Sequence, residues 1–238
     1  MVLPIFGSVD VHREPLADGI AAEAEWMAGC AASGRPAAHL WQGRPGWAVP
    51  RRATLLPGWP AAAAADAGHG QVRVRASGGG VVPQGPGLWN LSLLWPAASA
   101  TPVDTDRLYA ALCAGLAAAL ARLGLAAAPQ PVDGSFCDGR YNLAVGGRKL
   151  AGTAQAWRRV GRQRVVLAHA VLVVEADPAA LTQRANDFEA ALGGKQRYRS
   201  GALTSIAREA PDPADIEART LTALAEQFAC APSGMPAC

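Results

Sequence analysis

The chain has 238 residues, of which 50% are hydrophobic and 17% are charged. This length and composition are typical of one large or two small globular domains and exclude an extensively disordered protein. The net charge of +3 is too small to indicate nucleic-acid binding, and no Lys/Arg run with interleaved aromatic residues accompanies it. The longest uncharged apolar run, between Arg107 and Arg122, is too short to span a bilayer. We therefore expect neither a nucleic acid nor a membrane as a partner.

The five cysteines are scattered and include no Cys-x-x-Cys pair: Cys30, Cys113, Cys137, Cys230 and Cys238. They indicate neither a disulfide framework nor a zinc site, so no metal is expected. The N-terminal residues lack a positively charged segment followed by an apolar stretch, which argues against a signal peptide. Together these features favour a protein of the reducing cytoplasm.

Hydrophobic periodicity and turn signals predict helices and strands in alternating groups along the chain. The predicted elements, in chain order, are a helix at 17–34, strands at 39–41 and 47–49, a loop or short helix at 57–70, strands at 71–75 and 88–95, a helix at 104–124, strands at 141–145, from 150 and at 165–174, and helices at 178–192 and 215–229. In the first helix, Ile20, Ala24 and Met27 are predicted to share the buried face. Hairpin-like strand groups separated by helices predict an α+β fold with a mixed, mostly antiparallel sheet flanked by helices, in a single domain over 1–238.

The most informative segment is the run Gly-Arg-Lys-Leu-Ala-Gly-Thr-Ala-Gln at 147–155. Strand 141–145, the glycine pair at 146–147 and the return from Leu150 form a predicted hairpin. Lys149 then lies where a strand leaves the turn, with small residues after it that allow close approach of another group. The pattern predicts a rigidly aimed cation, with a solvated turn lysine as the alternative.

A second motif lies upstream, the run Arg-Ala-Ser-Gly-Gly-Gly at 75–80. Because glycine has no Cβ, successive backbone N–H groups of such a loop can converge on one anion. Arg73 and Arg75 are predicted on one strand face, where together they could hold a phosphate or carboxylate. No Gly-Lys-Ser/Thr follows and the second half of a Rossmann fingerprint is absent. Taken alone, the loop also fits a plain structural turn.

Together, the two motifs resemble those of the lipoate–protein ligase A and octanoyltransferase family, whose fold is shared with biotin protein ligase. Similar segments occur in the family's order: Leu-Trp at 40–41, Gly-Arg-Tyr-Asn-Leu at 139–143, His-Ala-Val-Leu-Val at 169–173 and a basic segment at 195–205. The resemblance runs from about the first helix to beyond Ser205 and implies a biotin/lipoate protein ligase catalytic-domain-like fold.

Members of this family pass an octanoyl or lipoyl group to one lysine of a small lipoyl domain. The resemblance implies that Lys149 holds the acyl carbonyl and the adenylate phosphate, where its charge stabilises the developing oxyanion. It implies a set of substrate- or nucleotide-binding residues: Arg75, Ser77, Gly78, Gly79, Gly80, Asn142, Gly152, Thr153 and His169. A histidine whose hydrogen bonds are satisfied inside the protein is the alternative for His169. Candidates for lining the alkyl slot are Val81, Leu91, Val145 and Leu150, although core packing is the favoured role for each of them.

Two chemical routes are open within this family. The ligase route uses ATP and Mg to form acyl-AMP from lipoate or octanoate, usually with an additional small C-terminal domain, for which the chain after Ser205 is too short. The other route takes the acyl group from octanoyl carrier protein and relays it through a cysteine shortly before the lysine. Cys137 lies in that neighbourhood, where a thioester is sensible chemistry and an inert half-buried thiol is the alternative. The sequence interpretation favours the ligase route over the Cys137 thioester.

Departures from the family pattern suggest a further alternative, a non-catalytic acyl-binding homologue. Gln84 stands where the family's glycine-rich loop commonly continues into a histidine, and Asn142 stands for an aspartate. Ala170 replaces a glycine after His169. A biotin ligase is disfavoured because its Gly-Arg-Gly-Arg-type loop is absent.

Overall fold

The computed structural model describes residues 3–65, 71–75, 77–98 and 103–229. Ala76 of the glycine-rich motif, residues 66–70 of the predicted loop, and Cys230 and Cys238 lie outside the described residues. None of the helices within these ranges is long and apolar enough to cross a membrane.

Ten strands and six α-helices are formed by the described residues. The strands are β1 (Asp10–Leu16), β2 (Ala37–Gly43), β3 (Gly46–Pro50), β4 (Gln71–Arg75), β5 (Val82–Gln84), β6 (Leu88–Ala97), β7 (Ala128–Gln130), β8 (Asn142–Val145), β9 (Arg148–Val160) and β10 (Gln163–Val173). The helices are α1 (Gly19–Ser33), α2 (Trp59–Ala65), α3 (Thr105–Ala121), α4 (Pro178–Ala191), α5 (Ile206–Glu209) and α6 (Ile216–Ala229). Short 3₁₀ turns cover Arg51–Leu55 and Ser200–Ala202.

Aspartates define where the longer helices begin. Asp18 accepts the N–H of Ala21 at 2.9 Å before α1, and Asp104 accepts the N–H of Arg107 at 3.0 Å before α3. Each carboxylate satisfies a donor that the first turn leaves unpaired and also favours the positive end of the helix dipole. Helix α1 ends at Gly34, whose φ of 69° is the left-handed conformation that glycine adopts without strain.

The seven-stranded main sheet has the order β1-β2-β6-β10-β9-β8-β7, and only its β1–β2 pair is parallel. A three-stranded sheet, β4-β3-β5, contains the parallel pair β3–β4. Strand β10 is central, as its continuous apolar run predicted, and pairs with β6 and β9. The predicted α+β fold with a mixed, mostly antiparallel sheet is confirmed, whereas the single-domain organisation over 1–238 stays a prediction.

The two faces of the main sheet pack against different partners. On one face, Leu91 and Leu93 of β6 share a core with Leu112 and Leu116 of α3 and Leu224 of α6. On the other face, Leu94, Val165 and Leu167 pack with Met27 and Cys30 of α1. A third cluster joins the small sheet and α4 to that second face through Trp47, Phe188, Leu88 and Val173. The α1 face is therefore covered by two separate units, and space remains between them.

The predicted buried face of the first helix is wrong in part. Ala24 is exposed, and the buried positions are Gly19, Glu23, Met27 and Cys30, which lie three or four residues apart. A charged Glu23 does not fit an apolar pattern. The structure buries it because its carboxylate receives hydrogen bonds from the main sheet.

Candidate active site

Lys149 is the second residue of β9, on the return strand of the predicted hairpin, and is 3% exposed. The ammonium Nζ donates to the carbonyl oxygens of Phe136 at 2.7 Å and Cys137 at 3.0 Å. A Cβ on Gly152 would lie 3.1 Å from Nζ, so the glycine leaves room for the lysine. Burial lowers the pKa of Lys149 to about 8, against the opposing charges of Cys137 and Asp138. Lysine carries three N–H donors, and the third has no hydrogen-bond partner among the described residues.

Cys137 faces the glycine-rich loop. Its Sγ accepts the backbone N–H of Gly80 at 3.1 Å and lies 3.9 Å from Nη2 of Arg75. Cys137 has a φ of 51°, a left-handed conformation that non-glycine residues rarely adopt and that often marks functional sites. A Cβ on Gly79, whose φ is 103°, would lie 2.6 Å from this Sγ. Glycine is thus required for the loop to approach the thiol.

Arg75 holds the glycine-rich loop through hydrogen bonds to backbone carbonyl oxygens. Its guanidinium is 5% exposed and donates to the carbonyl oxygens of Ala48 at 2.7 Å, Gly78 at 3.0 Å and Gly80 at 2.6 Å. The predicted pair of anion-binding arginines does not form, because Arg73 instead pairs with Asp18 at 2.8 Å. The structure thus places Arg75 beside the site, where it positions backbone groups.

Asp138 anchors the segment that carries Cys137. Its Oδ1 accepts the N–H groups of Val132 and Gly139, both at 2.8 Å, and the amide of Asn142 at 2.7 Å. Asn142 was predicted to bind substrate. In the structure it is buried, and its side-chain amide donates to Asp138 in the segment that carries Cys137. The sequence interpretation missed Asp138, although its place next to a candidate nucleophile was a usable signal.

A cavity with about 690 Å³ of empty space, part of it open to solvent, lies between the α1 face of the main sheet, α1 and the small sheet. Cys137, Lys149, Gly152 and Thr153 line it at one end of β9, and Thr153 donates to the carbonyl of Tyr141 at 2.7 Å. Apolar side chains cover its walls: Ile20, Ala48, Val82, Leu88, Phe136, Val171, Val173 and Leu203.

Core packing, which the sequence interpretation favoured over cavity lining for the alkyl-slot candidates, is the role that the structure gives them. Val81, Leu91, Val145 and Leu150 do not line this cavity; Leu91 and Leu150 are buried in the core on the opposite face of the main sheet. Val145 packs against that core, and Val81 belongs to the cluster at the small sheet. Side chains alternate between the faces of a strand, and an apolar run does not reveal which set faces a cavity.

His169 lines the cavity away from the thiol, and a buried polar network supports it. Its Nδ1 lies 3.2 Å from Oε1 of Glu23, which also accepts the hydroxyl of Ser92 at 2.7 Å. The indole N–H of Trp41 donates to Ser92 at 2.9 Å. The internally satisfied histidine considered from sequence matches these contacts. The sequence interpretation missed the other three residues, because they meet only through the sheet register.

Cys137 also borders an open groove on the opposite side of the glycine-rich loop. Gly79, Gly80, Arg52, Lys195 and Tyr198 are among its lining residues. Cys137 thus borders both a mostly apolar cavity and an open groove with a mixed polar and apolar lining. Ser77 and Gly78, predicted to bind substrate, line neither space.

The sequence profile of the lipoyl protein ligase A/B catalytic domain matches residues 21–229. The chain belongs to this family. It is also 43% identical over 210 residues to an uncharacterized protein of Cupriavidus necator, a match that covers 83% of this chain and 81% of that protein. The predicted family and the predicted acyl-transfer enzyme class, of the lipoate ligase and octanoyltransferase type, are confirmed.

Two further similarities concern the individual branches of the family. An octanoyl-[GcvH]:protein N-octanoyltransferase of Kyrpidia tusciae is 40% identical over 141 residues. That match covers 57% of this chain and 48% of the enzyme, so it spans about half of the enzyme's length. The structure of a lipoate-protein ligase A bound with ATP superposes with a TM-score of 0.68 at 15% identity, over 94% of this chain and 84% of that one. The structural likeness shows a shared fold.

Proposed function

We propose that this protein transfers octanoyl groups to a lysine of a lipoyl domain through a thioester on Cys137. The observation that carries the proposal is the position of Cys137 at the border of both the mostly apolar cavity and the open groove, with the N–H of Gly80 on its sulfur. An acyl chain in the cavity would bring its carbonyl carbon to the sulfur, and carrier proteins would approach from the groove.

The first half-reaction loads the enzyme. The sulfur of Cys137 attacks the acyl carbonyl of the donor, the thioester C–S bond forms, and the bond from the carbonyl carbon to the donor breaks. The donor's lysine amine or carrier thiol leaves with the proton that the Cys137 thiol gives up. In the second half-reaction the acceptor lysine attacks the thioester, an amide C–N bond forms, the C–S bond breaks, and the amine proton restores the thiol.

Lys149 and the Gly80 N–H are the candidates for stabilising the oxyanion of both tetrahedral intermediates. In this proposal the third donor of Lys149 and the Gly80 N–H, which now contacts the sulfur, would both donate to the oxygen of the bound acyl carbonyl. Preorganised donors of this kind typically contribute 10²–10³-fold each to the rate. The positive charge of a buried ammonium strengthens this effect in a site of low dielectric.

The name of the Kyrpidia tusciae relative supports an octanoylated GcvH-type lipoyl domain as the donor. Octanoyl carrier protein is the second donor to test, because its thioester presents the same acyl carbonyl. In both cases the acceptor is a lysine of another lipoyl domain.

The ligase route through acyl-AMP stays a prediction, supported by the fold shared with an ATP-bound ligase. In this chain the nucleotide phosphate would depend mainly on Lys149, since Arg75 donates to three backbone carbonyls. Because Arg75 is occupied by these backbone carbonyls, the thioester route, which needs neither ATP nor Mg, is the better supported of the two routes.

The routes separate in a transfer assay read by the mass of an apo lipoyl domain. We expect octanoylation from an octanoylated GcvH-type domain or from octanoyl carrier protein without ATP, and none with Cys137→Ser. Cys113→Ser is the matched control, since Cys113 is buried in α3 and burial raises its pKa to about 11. Octanoylation that requires octanoate, ATP and Mg and survives Cys137→Ser would overturn the proposal in favour of the ligase route.

A further inference from the structure

The open groove beside Cys137 contains a carboxylate, that of Glu189 in α4, which forms no ion pair with any described residue. Glu189 is half-buried, and its Oε1 accepts the hydroxyl of Tyr198 at 2.8 Å. Within the described part of the chain, nothing donates a hydrogen bond to its second oxygen, Oε2. A partly buried anion is costly without a counter-charge, so this position is suited to receive a cation.

Tyr198 fixes the Glu189 carboxylate in place. Tyr198 is 8% exposed, and its backbone N–H and C=O both bond to the side chain of Asn186, at 2.7 and 3.0 Å. Burial, together with the hydrogen bond to Glu189, raises the pKa of Tyr198 well above its ordinary value, so the phenol stays a donor. A Cβ on Gly194 would lie 2.5 Å from Oε2 of Glu189, so glycine there leaves space at the free oxygen. The carboxylate is therefore held ready for a ligand.

The same wall of the groove leads to the thiol. The rings of Tyr198 and Phe136 meet edge to face, with centroids 6.3 Å apart. Phe136 directly precedes Cys137, and its carbonyl accepts from Lys149. Ser135 also lines the groove, is 2% exposed, and has a hydroxyl without a hydrogen-bond partner among the described residues. A buried polar group of this kind is rare in a complete site and is typical of one that awaits a ligand.

The charges of the groove indicate which ligand it fits. Two cations, Arg52 and Lys195, also line it, and both are exposed, so water and salt screen their repulsion of an incoming cation. The half-buried charge is the negative one of Glu189. A matching ligand carries one cation on a flexible arm and has acidic groups around the base of that arm. A lysine presented by an acidic protein surface has this charge pattern.

We infer that Glu189 and Tyr198 form a binding site for the ammonium group of the acceptor lysine, which they orient before its amine attacks the acyl group. The inference rests on the proposed function for the identity of the acceptor. The flexible four-carbon stem of lysine lets its ammonium reach into the groove while the acceptor domain stays at the exposed cations. The ammonium then gives one proton to water in the open groove, and the neutral amine reacts as proposed above. Glu189 thus acts as a positioning residue for the substrate.

A double-mutant cycle of binding tests this site without requiring transfer. Calorimetry at low ionic strength would compare the wild-type protein with Glu189→Gln, which keeps the size of the side chain and an acceptor for Tyr198. The ligands are an apo GcvH-type lipoyl domain and the same domain with its acceptor lysine replaced by methionine. We expect the variant to bind the lysine-bearing domain about tenfold more weakly and the methionine-bearing domain within about twofold of wild type. Equal effects on the two domains, or no detectable binding of either, would overturn the inference.

Asp187→Asn is the matched control. Asp187 lies on the same helix and is exposed, its carboxylate accepts the amide of Gln183 at 2.8 Å, and it does not line the groove. Its replacement removes the same charge and should leave both affinities unchanged. A loss as large as that of Glu189→Gln would show that the net charge of α4, and not a site at Glu189, governs binding, and the inference would be wrong.

Steady-state transfer separates positioning from chemistry. Glu189→Gln should raise KM for the acceptor domain about tenfold and change kcat by less than about threefold, because the lost contact is made before the reaction. Tyr198→Phe removes only the hydroxyl and should shift KM in the same direction by a smaller factor. A fall in kcat at unchanged KM would contradict a binding role for Glu189.

The binding cycle also separates this site from the thioester chemistry. Coupling between Glu189 and the lysine, in a protein that never acylates Cys137, would support the ammonium site and overturn the proposed function. Acylation of Cys137 and full transfer without such coupling would support the proposed function and overturn the ammonium site.

Discussion

The two faces of the main sheet divide stability from chemistry. Along β6, Leu91 and Leu93 point into a mainly apolar core under α3 and α6, while Asn90 and Ser92 point toward α1. The first face is filled with close-packed side chains. The second carries the cavity and the buried polar groups because two separate units cover it and leave space between them. Alternate residues of one strand can thus serve the fold and the site independently.

The largest effect on acyl transfer is expected from removing the buried ammonium group of Lys149 on the cavity face. Lys149→Met keeps an unbranched side chain, one heavy atom shorter than that of lysine, but deletes the N–H donors. We expect acyl transfer to fall by roughly 10²–10³-fold, the loss typical of an oxyanion donor. A discontinuous assay of lipoyl-domain octanoylation measures it, and a decrease of less than about threefold would exclude Lys149 from the chemistry.

A smaller effect is expected from the loop that contacts Cys137. Gly79→Ala places a methyl group 2.6 Å from Sγ and 2.9 Å from the Arg75 guanidinium. Displacement of the loop by about 1 Å should lower acylation by roughly 10²-fold. Gly78→Ala is the matched control, since nothing lies within 4 Å of its added Cβ. Equal rates for the two variants would show that the loop has no positioning role.

The pH dependence distinguishes a charged lysine from a neutral one. Since the pKa of Lys149 is about 8 in the folded protein, the rate should fall about tenfold per pH unit above it as the ammonium deprotonates. Stability should change in the opposite direction. The unfolded lysine, with its ordinary pKa of 10.5, binds a proton that the folded one has lost, so the free energy of unfolding rises between these values.

Stopped-flow acylation and thermal unfolding between pH 7 and pH 10 check the two trends. Lys149→Arg, which stays charged over that range, should remove the decline in rate. A decline that persists in this variant would assign the titration to another group.

The smallest effect on chemistry is expected from the apolar face. Leu116→Ala in α3 removes a fully buried side chain and should lower the free energy of unfolding by about 2–5 kcal/mol. Acylation per folded molecule should be unchanged, because Leu116 does not line the cavity. Among the described residues, Ala151 is the one that both belongs to this core and borders the cavity. Urea titration measures the free energy of unfolding, and an active-site count on the same sample measures acylation per folded molecule. A matching loss of acylation would show that the faces are coupled.

Local patterns made much of the site predictable from sequence. The hairpin with Lys149 and the central strand β10 follow from turn residues and apolar runs within short segments, whereas Cys137 was singled out by the resemblance to the family. The glycine-rich loop was also recognisable, because glycine is required where backbone approaches the thiol.

Other features depend on pairing between distant segments. Glu23 contacts Ser92, which is 69 residues away in the sequence, and His169, which is 146 residues away. No local pattern therefore brings the three residues together. The role of Arg75 depends on the parallel pairing of β3 with β4, which presents the Ala48 carbonyl to the guanidinium. The residues that line the cavity could not be chosen from sequence for the same reason, since the register that decides which alternate residues face α1 is set by tertiary packing.

The central claim is that the acyl group rests on Cys137 during transfer. Rapid acid quench of a stoichiometric mixture with an octanoylated GcvH-type domain, without ATP or acceptor, followed by peptide mass mapping, tests it most directly. The account predicts one octanoyl group on the peptide that contains Cys137, labile to hydroxylamine as a thioester is, and its loss when apo lipoyl domain is added. An unmodified Cys137 in a mixture that completes transfer at full rate would contradict it.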